Sequence, residues 1–408
     1  MKSLKSIIYV FLLSILFNSI IAAQSKPEKI YPLVIIHMPT EWYAEQAELW
    51  NEELKKNPKN PDCYNNVYLA VRYANPPFGS SIAYKNAVKR LCKIAEENIP
   101  DSYMYYYLKD HLIDTGFFNI NRDISYLEKA YNLQPDNQEV LYNILVNLIV
   151  HYELARDREK SEKYCKKLYE SKLIPSGFLD YNYNVLMSVE ENAILFTNGD
   201  MDTFPIWVLQ HAKGIRKDVS VLNVSVTRSN DYEYLEKLIS EKGIDFNLKK
   251  LLKKNKDITN SKNQSFYSII SDLCNAILEE KPDIPLYFAP TIPESVRKSI
   301  CDDVNNLYNT GLAQRYSKNK IENIGLLRKN IERKFRLDYL TNDWYTESDV
   351  SAGNIQKLNG IYNIAFIPLY EHYKASGEES KALYYKELIL LLTSDKDREN
   401  IKKYLEKD

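Results

Sequence analysis

The chain of 408 residues has room for two or three domains, and 45% hydrophobic with 12% aromatic residues is ample for packed cores, which excludes a disordered polypeptide. Its 54 basic and 55 acidic side chains leave a formal charge of -1, so the basic footprint of a general nucleic-acid binder is absent and no nucleic acid is expected as a partner. Only 11 glycines against 33 tyrosines point to helices whose gaps are filled by aromatic rings, because turn-dense β folds consume glycine.

Lys2 and Lys5 precede an apolar run from about Ile7 to Ile21 and the small residues Ala22 and Ala23, the form of a secretory signal peptide over residues 1–23. Asn18 and Ser19 shorten that apolar core below the roughly 20 residues that a membrane span needs. Every later apolar run is soon broken by charge. The expectation is an exported protein, periplasmic or envelope-associated, with no membrane span after signal removal. Cys63, Cys92, Cys165, Cys274 and Cys301 are odd in number and show no CxxC spacing, which favours buried single thiols over disulfides or a metal site.

Ala47, Trp50 and Leu54 share one helical face before Pro58 and Pro61, and read as one helix pair. Leu127, Ala130 and Pro135 have the spacing that ends a tetratricopeptide repeat, where a small residue lets helices approach and proline starts the next turn. Leu141, Ile144, Leu145, Leu148 and Ile149 then recur at three and four, predicting a helix over Gln138 to Leu154, with its partner over Ser161 to Tyr169. Tyr370, Tyr373, Gly377 and Ala382 mark a third copy near the end of the chain.

Between the repeats the period changes. An apolar run ends at Thr197, a helix follows over Thr203 to Ala212, and the β-branched segment Val219 to Val226 reads as a strand. With a helix between them the two strands should run parallel. Residues 232–243 read as a helix, the lysine-rich stretch 247–263 as a solvated helix and loop, and Ile284 to Pro290 as a third buried strand. Asp343, Trp344, Tyr345, Glu347 and Asp349 form a polar and aromatic cluster, more simply a capped loop than a ligand site. The predicted fold class is mostly α, tetratricopeptide-like helical repeats with an inserted small α/β domain containing a parallel sheet. Its parts are helical repeats over 40–185, the α/β domain over 186–340 and a last helical repeat over 341–408.

Ligands of open parallel sheets bind beyond the carboxyl ends of the strands, where helix N-termini offer unpaired amides. Asn198, Gly199, Asp200, Asp202 and Thr203 fall there and form the candidate ligand-binding set, with Trp207 as an aromatic platform or a core residue. Gly199 is suited to a positive φ, and Asp202 or Thr203 to capping the helix. If capping is the whole role, Asp202→Asn should cost about 1 kcal/mol, since asparagine caps nearly as well. Two aspartates one residue apart also suit a divalent cation or sugar hydroxyls, although no cofactor is required by any motif. His37, His111, His151, His211 and His372 show no metal-ligand spacing, and the chain has no glycine-rich phosphate loop and no nucleophile elbow.

The string Thr-Asn-Gly-Asp-x-Asp-Thr-Phe-Pro-x-Trp at Thr197 to Trp207, with the later segments at 284–290, 311–317 and 364–392, resembles the extracytoplasmic C-terminal domain of a bacterial multi-pass membrane family similar to protein O-mannosyltransferases. The resemblance covers roughly residues 190–392. Family members commonly carry asparagine where Met201 stands, and they carry a membrane portion that this chain lacks. The resemblance therefore implies an accessory module rather than the transferase. Taken together, the expectation is a non-catalytic binding or scaffolding protein of the cell envelope, with a protein partner on its helical repeats and a glycan as a candidate ligand. The alternatives are a glycan-processing or glycosyl-transfer enzyme using Asp200 and Asp202, and a purely structural assembly factor.

Overall fold

The computed structural model describes residues 26–33, 35–75, 81–113, 121–225, 233–244, 262–301, 303–342 and 351–406, with the backbone alone at 262–267. The expected signal peptide, most of the lysine-rich stretch, Val226 at the end of the second strand, and the cluster Asp343, Trp344, Tyr345, Glu347 and Asp349 lie outside the described residues. The chain is mostly α-helical with an α/β part, and divides into two compact units. Among the described residues no helix is long and apolar enough to cross a membrane.

The first unit comprises the described residues of Met1–Pro32 and His37–Leu112. Helices α1 (Thr40–Lys56) and α2 (Pro61–Ala74) pack together, followed by α3 (Ile82–Asn98) and α4 (Tyr103–Asp110). Each start is written locally. Asn60 accepts from Asp62 N at 3.0 Å ahead of Pro61 in the first turn, Ser81 caps α3 through Tyr84 N, and Ser102 caps α4 through Tyr105 N. Tyr64, Tyr68 and Tyr107 are fully buried, and the Tyr68 and Tyr107 rings meet edge-on with centroids 5.6 Å apart. Aromatic rings thus fill the gaps between helices, as the composition suggests.

The second unit comprises the described residues of Leu33–Ile36 and Ile113–Asp408. Helix α5 (Ser125–Asn132), α6 (Gln138–Ala155) and α7 (Arg158–Glu170) pack in sequence, with Leu127 and Ala130 buried on α5. Asn137 caps α6 and Asp157 caps α7. The apolar period placed α6 within a residue of its observed end, and Ile144, Leu145, Leu148 and Ile149 are all buried. Helix α8 (Ser176–Met187) leads into strand β1 (Ile194–Thr197), helix α9 (Asp200–Lys213) and strand β2 (Ser220–Asn223). Helices α10 (Glu233–Ser240) and α11 (Lys262–Glu280) precede β3 (Leu286–Phe288), α12 (Glu294–Ile300), β4 (Leu307–Asn309) and β5 (Gln314–Tyr316). Helices α13 (Ile324–Arg333), α14 (Ala352–Asn359), α15 (Asn363–Ser376), α16 (Glu379–Leu392) and α17 (Asp395–Leu405) complete it. Gly377, at φ 76°, ends α15 in the left-handed region so that α16 can pack back on it.

Among the described residues the sheet has five strands, in the order β2-β1-β3-β5-β4. β1 pairs in parallel with β2 on one side and β3 on the other, the relation expected from the strand-helix-strand pattern. All four residues of β1 are buried, as befits a strand covered on both faces. Phe196 and Phe288, opposite one another in register, stack with centroids 4.9 Å apart. β5 and β4 extend the sheet antiparallel, so it is mixed rather than wholly parallel. Their connection needs Gly311 at φ 144°, where an added Cβ would collide with the Ser188 hydroxyl and the Phe335 ring.

Candidate functional site

The turn after β1 brings Asn198, Gly199, Asp200, Asp202 and Thr203 to the carboxyl end of the three parallel strands. Helix α9 starts at Asp200, three residues earlier than its apolar period indicates, because Gly199 serves as N-cap. Its φ of -152° is extended backbone, so the positive φ expected of Gly199 is not used, and an added Cβ there would meet nothing within 4 Å.

Asp202 is therefore the third residue of the helix rather than its cap, and it reaches backwards. Its Oδ1 accepts from Gly199 N at 2.8 Å and its Oδ2 from Asn198 N at 2.8 Å. The Thr291 hydroxyl, from the loop after β3, donates to Oδ2, and the Thr203 hydroxyl lies 3.4 Å from Oδ1. With the carboxylate 1% exposed, both oxygens are occupied by internal donors. Burial pushes the Asp202 carboxyl above the ordinary aspartate range, opposed by these same hydrogen bonds, which favour the charged form. This geometry corrects the expectation for Asp202→Asn: an amide nitrogen cannot accept, so one backbone N–H would face another donor.

Thr203 continues the network sideways. Its hydroxyl lies 2.8 Å from that of Thr197 at the end of β1 and accepts from Asn223 Nδ2 at 2.9 Å at the end of β2. Asn223 Oδ1 accepts from Ser225 N, and the Ser225 hydroxyl donates to Asn198 O. The ends of all three parallel strands are thus tied to the first turn of α9. Asn182 on α8 donates to Met201 O at 2.8 Å and holds the same turn from the helical side.

Asp200 is placed differently. It is exposed, in the first turn of α9, where the helix dipole favours a carboxylate. With Met201 it stands at the rim of an apolar crevice lined also by Tyr142, Ile174, Phe178 and Pro205. Trp207, one turn further on, is 2% exposed and packs beside Phe204 with centroids 5.8 Å apart, among the core residues. Six candidates named from sequence therefore separate into an internal network of Asn198, Gly199, Asp202 and Thr203, an exposed carboxylate at Asp200 and a buried indole at Trp207. Thr291 and Asn223 were missed, although both sit where the strand-end rule directs attention. Among the described residues no group of three or more His, Cys, Asp or Glu side chains is placed to hold a metal ion.

Residues 178–260 match the family model described as TMEM260-associated domain 2. That span runs from the start of α8 past α10 and contains the whole Asp200 turn. Comparison with curated proteins finds no significant match.

Proposed function

We propose that the protein is an exported, non-catalytic binding or scaffolding module of the cell envelope, accessory to protein glycosylation. The observation that carries this reading is the division of labour between the two aspartates. A pair working on a glycosidic bond or a bound cation needs both carboxylates to face one reacting group. Asp202 spends both oxygens on the turn that builds the site, and only Asp200 faces outward. The match of residues 178–260 to TMEM260-associated domain 2 supports the glycosylation context, together with the resemblance of the Thr197 to Trp207 string to the O-mannosyltransferase-like family. The packed helix pairs α1 with α2, α6 with α7 and α15 with α16, read as tetratricopeptide-like, offer surfaces for a protein partner. The Asp200 rim is the candidate contact for a glycan.

Affinity capture from envelope extracts, using the mature chain and its Asp200→Asn variant, tests the proposal alongside a glycan hydrolysis and transfer assay. The reading expects a reproducible glycoprotein or glycosylation partner, weaker capture by the variant, and no turnover. Turnover that Asp200→Asn abolishes would overturn the non-catalytic reading.

A further inference from the structure

A polar cleft of about 280 Å3 lies between α6, α7, α9 and β2. Arg156 at the end of α6, Arg158 at the start of α7, His211 near the end of α9, and Lys217 ahead of β2 line it together with the carboxylates Glu153 and Glu162. Glu153 is 2% exposed. His211 Nε2 lies 2.5 Å from its Oε1, and Arg156 Nη1 lies 3.5 Å from its Oε2. Arg156 turns its other edge to Glu241, just past α10: Nε donates to Oε1 at 2.9 Å and Nη2 to Oε2 at 2.5 Å. Arg158 Nη2 donates to the same Oε2 at 2.9 Å.

Two guanidinium groups converge here on one carboxylate. The planar fork of arginine fits carboxylate and phosphate oxygens alike; Glu153 opposes Arg156 and Glu162 opposes Lys217, so displacing Glu241 leaves one positive charge of the three cations over. The carboxylate in it is accessible. Glu241 is 41% exposed on its side chain, so solvent and a competing anion reach the fork. Lys217 adds a third cation on the same cleft, and its ion-pair partner, Glu162, is 3.9 Å away. Arg156 itself is held for the task, since Glu153 anchors its inner nitrogen and the Tyr234 ring lies 5.8 Å from its guanidinium carbon.

We propose that Arg156, Arg158 and Lys217 form a receptor for a phosphate-bearing ligand, and that Glu241 occupies the arginine fork while no ligand is bound. A phosphate group brings a third oxygen and more charge than the glutamate it displaces, which offers Lys217 a second partner beside Glu162 and favours exchange. The site is independent of the Asp200 turn and goes beyond the function proposed above.

The test is calorimetric titration of the full chain with pyrophosphate, with succinate in parallel. Glu241→Gln removes the competing charge and should tighten pyrophosphate binding about tenfold over the unmodified chain. Adding Arg158→Ala to that variant should return affinity to the starting value or below. No gain in Glu241→Gln, or a gain that survives Arg158→Ala, overturns the proposal. A gain for succinate without one for pyrophosphate overturns the assignment to phosphate. Should Glu241→Gln fail to fold, the Arg156 Nε resonance of the unmodified chain decides: pyrophosphate is expected to shift it, and an unmoved resonance at millimolar pyrophosphate overturns the proposal.

Discussion

The two aspartates of one short turn have opposite prospects on mutation, since Asp202 is buried and Asp200 is exposed. Asp202→Asn keeps a single acceptor for the amides of Asn198 and Gly199 and sets its own N–H group against the other, so it should cost about 1–3 kcal/mol. Asp200→Asn, on an exposed first-turn position, should cost about 0.5 kcal/mol. Denaturant unfolding of both variants checks the difference, and equal losses would mean that the buried network contributes nothing. A glycine pair gives a second comparison. Gly311→Ala forces a side chain into a φ of 144° and against Ser188 and Phe335, and should cost about 3 kcal/mol. Gly199→Ala, extended and with open space around it, should cost less than about 1 kcal/mol. The same measurement ranks them.

At the scale of elements, the buried Glu153 of α6 joins that helix to His211 of α9. Burial opposes ionisation of Glu153, but the His211 bond and charge, with Arg156 and Arg158, hold its pKa below the ordinary glutamate value. The folded chain therefore keeps this carboxylate ionised at a pH where the unfolded chain has taken up a proton. Its contribution is complete above about pH 4.5 and is lost as pH falls through the lower native value. Glu153→Gln should lower stability at neutral pH by about 3 kcal/mol and flatten the acid side of a plot of melting temperature against pH. An unchanged acid limb would show that the pair is not the titrating unit. Elements of this kind were unevenly legible in the sequence. The period of three and four located α6, and the run ending at Thr197 with the segment after Val219 located the parallel strands. β4 and β5 escaped because three residues are too few to show alternation. The place of the candidate turn was legible, but not the use of Asp202. Either aspartate fits a capping sequence, and the choice depends on where the chain leaves β1 and on Thr291, which lies far along the sequence. Glu153 did leave a signal, a carboxylate four residues after Ile149 on an otherwise apolar face.

Over the whole molecule, all five cysteines are buried and unpaired by disulfides. Burial also pushes the thiols of Cys63, Cys92 and Cys165 up, Cys63 to about 11 and Cys165 well above the ordinary range, which suppresses the reactive thiolate. The folded chain should give no reaction with a thiol reagent and five equivalents after denaturation, even when recovered from an oxidising compartment. Mass spectrometry of the alkylated protein reads the number directly, and fewer than five would reveal a disulfide. The packing of tyrosine between helices has a further, optical consequence. Burial holds the phenol protons of Tyr64, Tyr84, Tyr107 and Tyr181 above the usual tyrosine range, Tyr64 at about 12. Above about pH 10 an unfolded chain gives up protons that the folded chain retains, so alkali draws the protein toward unfolding and the rings ionise as it opens. The tyrosinate absorbance of these buried rings should then rise in one steep step, well to the alkaline side of free tyrosine. The aromatic mortar of the helices is in this sense a built-in indicator dye, reporting without any label the moment at which the packing lets go.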